Sequence, residues 1–88
     1  MKSRLFMVLE RFKKDRGPAV YARFREKGRM LPRGLTYLDS WVERKTGRCF
    51  QLMACRDRKL FRVWTRRWSD LVDFEILEVV TSNEAAKS

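Results

Sequence analysis

Apolar residues recur along the chain with two different periods, and these periods predict four strands separated by two helices. Stretches rich in aliphatic and aromatic residues are typical of strands. They cover residues 5–12, 35–45, 48–55 and 72–81. Thr46-Gly47, between the second and third of these stretches, is short and contains a glycine, which predicts a hairpin.

The two predicted helices fall between strands one and two and between strands three and four. Pro18 suits the first turn of the first helix, where its missing N–H costs nothing, and Gly28 is a natural stop. Asp57 is a favourable N-cap for the second helix. At three- and four-residue spacing the helices align two apolar faces, consisting of Val20, Tyr21 and Phe24 in the first and Leu60, Phe61, Trp64, Trp68 and Leu71 in the second.

The order β-α-β-β-α-β predicts an α+β, ferredoxin-like fold with a four-stranded antiparallel sheet. Right-handed crossovers then put both helices on one face of that sheet. A sheet with one solvated face should alternate apolar and polar residues, yet the strands are apolar on both sides, with Leu5, Met7 and Leu9 opposite Phe6 and Val8. We therefore expect a second copy to cover the open face, because most small oligomers are symmetric homodimers.

The length predicts one domain over residues 1–88, of which residues 82–88 form a flexible polar tail. No stretch approaches the roughly 20 apolar residues that a membrane span needs, and the N-terminus lacks the apolar run of a signal peptide. Cys49 and Cys55 lie six positions apart in one predicted strand, too far to bridge each other, and free thiols fit a reducing compartment. We expect a cytoplasmic protein with no membrane partner.

The net charge of +10, from 21 Lys and Arg against 11 Asp and Glu, raises the question of an anionic partner. Arg58, Arg62 and Arg66 recur at four-residue intervals and predict a basic ridge on the second helix, suited to salt-dependent contacts with a phosphate backbone. A solvated helix face is the plainer interpretation. RNA recognition by Phe6 and Phe50 on the central strands is disfavoured, because the glycines and second aromatic residue of the third-strand motif are missing.

The candidate chemistry is sparse. The chain has no histidine, no cofactor fingerprint and no metal-ligand cluster, so we predict no cofactor, no metal and no catalytic residue. Asp39 or Glu43 would serve as the base if the domain were a small barrel enzyme. Asp70 at a helix end opposes the helix dipole and predicts an ion pair. A ligand pocket of the kind found in small dimeric barrels would be lined by Tyr37, Asp39, Trp41, Gln51 and Met53.

Several short segments carry a family resemblance. They are Tyr21-Ala22-Arg23-Phe24 with Gly28-Arg29, Gly34-Leu35, Ser40-Trp41-Val42, Cys49-Phe50-Gln51-Leu52-Met53 and the run Trp-Ser-Asp-Leu-Val-Asp-Phe-Glu over residues 68–75. Together they resemble the short bacterial proteins grouped as Domain of Unknown Function 3303. The resemblance implies a ferredoxin-like fold of the dimeric α/β-barrel type, and it implies no activity.

Three functions remain at this point. The favoured one is a homodimeric, non-enzymatic domain that holds a small ligand or a macromolecular partner. The second is electrostatic nucleic-acid binding through the basic helix face. The third is a small dimeric barrel enzyme of unknown reaction, since a fold by itself argues for no function.

Overall fold

The secondary structure alternates strands and helices along the chain. The computed structural model describes residues 2–87. Its elements are β1 (Arg4–Phe12), α1 (Gly17–Lys27), β2 (Thr36–Val42), β3 (Cys49–Cys55), α2 (Leu60–Arg66), β4 (Val72–Val79) and α3 (Ser82–Lys87). The strands form one sheet in the order β2-β3-β1-β4 with every neighbouring pair antiparallel, so the predicted α+β class and antiparallel sheet are confirmed.

The register of the sheet assigns alternate residues to its two faces. On one row Val8 pairs with Gln51 and Ile76, and on the next row Leu9 pairs with Phe50 and Glu75. The row of Val8 belongs to the inner face, whose residues are buried beneath the helices. The opposite, outer face carries half-buried or exposed apolar residues, namely Leu5, Met7, Leu9, Phe50, Leu52, Leu77 and Val79.

The core lies between the inner face of the sheet and the two helices. Val20 of α1 and Trp64 of α2 belong to the same buried cluster as Phe6 and Met53 of the central strands. Phe61 of α2 meets Phe6 edge to face, with ring centroids 4.9 Å apart. Full burial of such aromatic and aliphatic side chains is the main favourable term for a domain of this size.

Pro18 and Gly28 delimit α1 as the sequence predicts. Pro18 lies in the first turn. Gly28 ends the helix with φ at 66°, a backbone conformation that favours glycine, and its N–H donates to the carbonyl of Phe24 at 2.7 Å. Pro18 and Gly28 therefore lie at the two ends of α1, where the sequence places them.

β2 and the second helix are clearly shorter than the sequence predicts, whereas β3 and β4 are shorter by one and two residues. β2 stops at Val42, because the Glu43 carboxylate accepts hydrogen bonds from the N–H groups of Lys45 and Thr46 and so folds the hairpin turn. The second helix begins at Leu60, after a turn in which Asp57 accepts from the N–H of Lys59 at 2.9 Å. It ends at Arg66, and the apolar positions Trp68 and Leu71 lie in the turns that follow.

The C-terminal segment forms a short helix, α3, where the sequence predicts no regular structure. Thr81 starts it: its Oγ1 accepts from the N–H of Glu84 at 3.1 Å and its carbonyl accepts from the N–H of Ala85 at 3.0 Å. A Thr followed three residues later by Glu is the pattern of a capping box. All residues of α3 are exposed, and the flexibility of this tail stays a prediction.

The molecule is a thin slab that measures 43 × 31 × 17 Å. One sheet and one layer of helices account for the short dimension, and the outer face of the sheet has no second layer among residues 2–87. Within the same residues, no helix combines the length and apolar character that crossing a bilayer requires.

Candidate functional site

A cavity of about 180 Å³ lies between the inner face of the sheet and the helical layer, and we call it the inner cavity. Its walls are mostly aromatic and include Phe12, Tyr21, Phe24, Trp41, Trp64, Trp68 and Phe74. Against these walls stand a few polar groups, which are Glu10, Arg29, Ser40 and Gln51. A mostly apolar cavity with few convergent polar groups is the usual composition of a small-molecule site.

Glu10 is the buried acid of the inner cavity. It follows Phe6 and Val8 on the inner face of β1 and is only 8% exposed. Burial raises the pKa of Glu10 from 4.5 to about 7, because a carboxylate loses its hydration there. The hydrogen bond from Gln51 and the charge of Arg29 lower this pKa and offset part of the rise.

Gln51 links the acid to a basic residue. Its amide nitrogen donates a hydrogen bond to Oε2 of Glu10, and its amide oxygen accepts a longer one, 3.4 Å, from Nε of Arg29. Gln51 is itself 8% exposed, so the amide fixes the orientation of the carboxylate within the sheet. A buried polar group that uses both ends of its side chain is well suited to holding its neighbours in place.

Arg29 is held at both its backbone and its side chain. Its carbonyl oxygen accepts hydrogen bonds from the indole N–H groups of Trp64 and Trp68, each at 2.9 Å. The guanidinium carbon lies 3.5 Å from the centroid of the Tyr37 ring and 5.1 Å from that of Phe24. Stacking of this kind orders an arginine while leaving its terminal N–H groups directed at other partners.

The inner cavity brings together some of the residues predicted for a ligand pocket. Gln51 and Trp41 line it. Tyr37 lies beside it, under the Arg29 guanidinium and hydrogen-bonded to Ser40 at 2.5 Å. Met53 is fully buried in the adjoining core.

The two acids suggested as an enzymatic base lie elsewhere. Asp39 is exposed, pairs with Leu52 of the outer face, and its carboxylate accepts from the N–H of Ser40 at 2.8 Å. Glu43 forms the hairpin turn, where the hydroxyl and N–H of Thr46 and the N–H of Lys45 lower its pKa. Neither acid lines the inner cavity.

Neither Glu10 nor Arg29 is among the residues that the sequence predicts for a ligand pocket. A signal for Glu10 exists, since it occupies the inward parity of Phe6 and Val8 in an otherwise apolar strand. Arg29 lies in the connection after α1, where no periodicity reports which residues are inside.

The three arginines of the predicted basic ridge are not aligned. Arg58 precedes α2, and its guanidinium turns toward the sheet, with Nη2 at 3.5 Å from the carbonyl of Ile76. Arg62 and Arg66 lie on α2 and are exposed. Arg58 and Arg62 instead help to line a broad depression of about 800 Å³, the basic groove, together with Arg4, Arg56, Asp57 and Lys59.

A family model matches residues 4–88, which is nearly the whole chain. The chain belongs to the family described as Domain of unknown function (DUF3303). The resemblance carried by the run over residues 68–75 is thereby confirmed. No curated protein and no solved structure matches the chain.

Two acids of the run over residues 68–75 in this DUF3303 domain, Asp70 and Asp73, form ion pairs. Asp70 accepts two hydrogen bonds from the guanidinium of Arg23, at 2.8 and 2.7 Å, which confirms the predicted pairing. That contact lowers the pKa of Asp70. Asp73 pairs with Lys13 at 2.9 Å. Across the described residues 2–87, no cluster of three or more His, Cys, Asp or Glu side chains is arranged to hold a metal ion.

The two cysteines of the DUF3303 domain are free and buried on β3. Burial raises the pKa of both thiols, and the nearby Glu10 charge adds to the rise at Cys49. A raised thiol pKa leaves little thiolate at neutral pH, so nucleophilic chemistry at Cys49 or Cys55 is disfavoured.

Proposed function

We propose that this DUF3303 domain binds a small organic molecule in the inner cavity. The observation that carries the proposal is the convergence of a buried carboxylate and an ordered guanidinium on one mostly aromatic cavity. A buried charged group is costly unless something else offsets the cost. A protein that needed only a packed core would gain stability from an apolar residue in place of Glu10.

The lining defines the kind of ligand. The volume of 180 Å³ lies below the roughly 300–1,000 Å³ of pockets for drug-sized ligands, so the ligand is small. The aromatic walls favour an apolar or aromatic body, and Arg29 favours a carboxylate or carbonyl oxygen at one end.

Ligand binding in the inner cavity can be measured through the fluorescence of Trp64 and Trp68, which line the cavity. We expect phenylacetate to change this emission saturably, and 2-phenylethanol, which lacks the charge, to bind more weakly. Arg29→Met should weaken phenylacetate binding by roughly 10- to 100-fold, because a hydrogen bond to a charged group contributes about 1.5–3 kcal/mol. Arg62→Met, which removes an exposed arginine from the basic groove, is the matched control and should bind like the wild type.

The absence of any saturable change with either compound would contradict the proposal. Equal weakening by Arg29→Met and Arg62→Met would also contradict it, because the effect would then reflect net charge alone.

We further propose that the architecture is ferredoxin-like and that the molecule is a cytoplasmic homodimer. The strand order β2-β3-β1-β4 and the succession β-α-β-β-α-β support the first part. Two free cysteines support the second, since free thiols are typical of reducing compartments.

Surface area supports the dimer. The accessible surface is 6663 Å², against about 5,500 Å² for a typical folded monomer of 10.6 kDa. The excess is comparable with the ~800 Å² that each partner buries in a standard interface. The outer face is the apolar surface that such an interface would cover, and a second copy is the favoured partner because most small oligomers are symmetric homodimers.

A second function, electrostatic nucleic-acid binding, is favoured by the basic groove. Five cationic side chains line it against a single carboxylate, that of Asp57. We expect the logarithm of the affinity for a single-stranded oligonucleotide to fall linearly with the logarithm of salt concentration. Arg62→Glu should reduce that slope, whereas Arg25→Glu on α1, outside the groove, should reduce it less. An affinity indifferent to salt would eliminate this function.

A further inference from the structure

The inner cavity holds the parts of an acid–base site. We propose that it transfers a proton at a carbon next to a carbonyl group, with Glu10 as the base and Arg29 as the group that stabilises the enolate oxygen. The proposal rests on the ligand-binding function above and adds an activity to it. Its substrate class is a small carbonyl compound with an exchangeable C–H and an apolar or aromatic body.

The carboxylate of Glu10 has an oxygen available for a substrate. In the described part of the chain, Gln51 is the side chain that donates to the carboxylate, and it uses Oε2. No fully buried polar side-chain atom of residues 2–87 lacks a hydrogen-bond partner. Oε1 of Glu10 is therefore accessible from at least one of the two spaces that Glu10 lines, which are the inner cavity and a shallow depression beside Leu9 and Phe74.

Gln51 is a positioning residue for the base. Its hydrogen bond to Oε2 fixes the plane of the carboxylate, and its contact with Nε of Arg29 fixes the distance between base and guanidinium. Trp64 and Trp68 hold Arg29 from the other side through its carbonyl oxygen. Preorganised groups of opposite charge on one cavity meet the two demands of enolisation, because one takes a proton and the other receives developing negative charge.

The proposed step is balanced without a co-reactant. The Glu10 carboxylate takes the proton from the carbon, the C–H electron pair forms a C=C bond, and the carbonyl π pair moves onto oxygen beside Arg29. The protonated Glu10 either exchanges its proton with solvent and returns a solvent hydrogen to the same carbon, which completes the exchange, or gives its proton to the enolate oxygen, which forms the enol. Both routes regenerate the Glu10 carboxylate. No electron leaves the substrate.

The electrostatic surroundings favour Glu10 as a base near neutral pH. The charged and titratable groups that share the inner cavity with it are Tyr21, Arg29 and Cys49. A shallow depression on its other side is bordered by Arg11, Arg48, Asp73 and Glu75. The pKa of about 7 that burial gives Glu10 lies where a general acid–base group is most effective.

The test uses phenylpyruvate in D₂O, with loss of its methylene proton signal followed by NMR. We expect the full chain to accelerate exchange over buffer and excess phenylacetate to suppress the acceleration by competition. Glu10→Gln should lose most of the acceleration, about 10²–10⁴-fold being the usual contribution of a positioned acid–base group. The far-UV circular dichroism spectrum of the same variant should match that of the wild type, which shows that the variant is folded. Glu78→Gln, an exposed acid on β4, is the control and should exchange like the wild type.

A pH profile of the unsubstituted protein provides a second readout that needs no variant. The exchange rate should rise with pH and level off above the pKa of Glu10, near 7. A profile that tracks hydroxide concentration throughout would overturn the proposal. Exchange by Glu10→Gln at the wild-type rate would overturn it as well.

The failures of binding and of catalysis are distinguishable. Saturable phenylacetate binding without accelerated exchange would overturn proton transfer and leave the ligand-binding function standing. The absence of both would overturn both.

Discussion

Glu10 illustrates how one residue can depend on the whole fold. Its side chain points to the same face of β1 as those of Phe6 and Val8, because the three residues alternate along the strand. The sequence alone therefore predicts that Glu10 faces inward. Its chemistry arises from neighbours that no local pattern specifies, namely Gln51 on β3 and Arg29 in the connection after α1. Sequence reasoning identified Gln51 as a pocket residue but could not pair it with an acid, because the register of β1 against β3 decides which side chains meet.

The raised pKa of Glu10 predicts a pH dependence of stability. The folded protein holds this proton more tightly than the unfolded chain, so the stabilisation is complete below pH 4.5 and is lost as pH rises to about 7. At 1.36 kcal/mol per pH unit the loss corresponds to about 3 kcal/mol. Urea unfolding at pH 5 and pH 8 measures it, and Glu10→Gln should flatten the difference. A wild-type stability that increases from pH 5 to pH 8 would contradict this prediction.

At the scale of elements, the sequence predicted where strands and helices exist better than where they end. Phe74 and Ile76 alternate with Glu75 and Leu77 across β4 as a half-buried strand requires. That element begins at Val72 as predicted and ends at Val79, two residues before its predicted end. α2 is shorter because Trp68 keeps helical spacing while its backbone already follows a turn. Apolar periodicity indicates which side chains are buried, but it carries no information about the hydrogen bonds that end a helix.

The glycines of α1 provide a matched test at this scale. Gly28→Ala should cost about 1–3 kcal/mol of unfolding free energy, because its φ of 66° and ψ of −156° lie in a region essentially restricted to glycine, although no atom lies within 4 Å of the added Cβ. Gly17→Ala should be neutral or slightly stabilising, because its φ is not in the left-handed region and the nearest atom, in Phe12, would be 3.8 Å away. Denaturant midpoints of the two variants measure the contrast. Equal midpoints would show that α1 does not depend on its glycine stop.

At the scale of the whole molecule, the sequence shows that the strands carry more apolar residues than one buried face needs. It does not show on which surface the additional apolar residues lie. Apolar residues on both sides of every strand indicated two covered faces, and the molecule covers one with helices. Which residues remain uncovered follows from the strand order and register, since the outer face collects apolar side chains from β1, β3 and β4, and Asp39 and Trp41 of β2 pair with residues of that face. The location of the basic residues was likewise not visible in the sequence. Arg58 precedes α2, so it lines the basic groove with Arg62 and does not form the predicted ridge on the helix.

The proposed dimer is tested by two apolar residues of similar exposure. Leu77 lies on the outer face and is 45% exposed, whereas Val63 lies on α2 and is 40% exposed. Light scattering should give the mass of two chains for the wild type and for Val63→Asp, and of one chain for Leu77→Asp, because a carboxylate cannot be buried unpaired in an interface. A wild-type mass of one chain would remove the dimer from the proposed function.

The hydrogen bonds on the connection after α1 tie that segment to the end of α2. Trp64 and Trp68 occupy both lone pairs of the Arg29 carbonyl, and the guanidinium of Arg67 donates to the next carbonyl, that of Met30, at 2.7 Å. A segment that looks like a surface loop therefore opens only together with a helix terminus, as one cooperative unit. Any fluctuation that frays the last turn of α2 therefore loosens the backbone of Arg29, while Tyr37, Phe24 and Gln51 still contact its guanidinium.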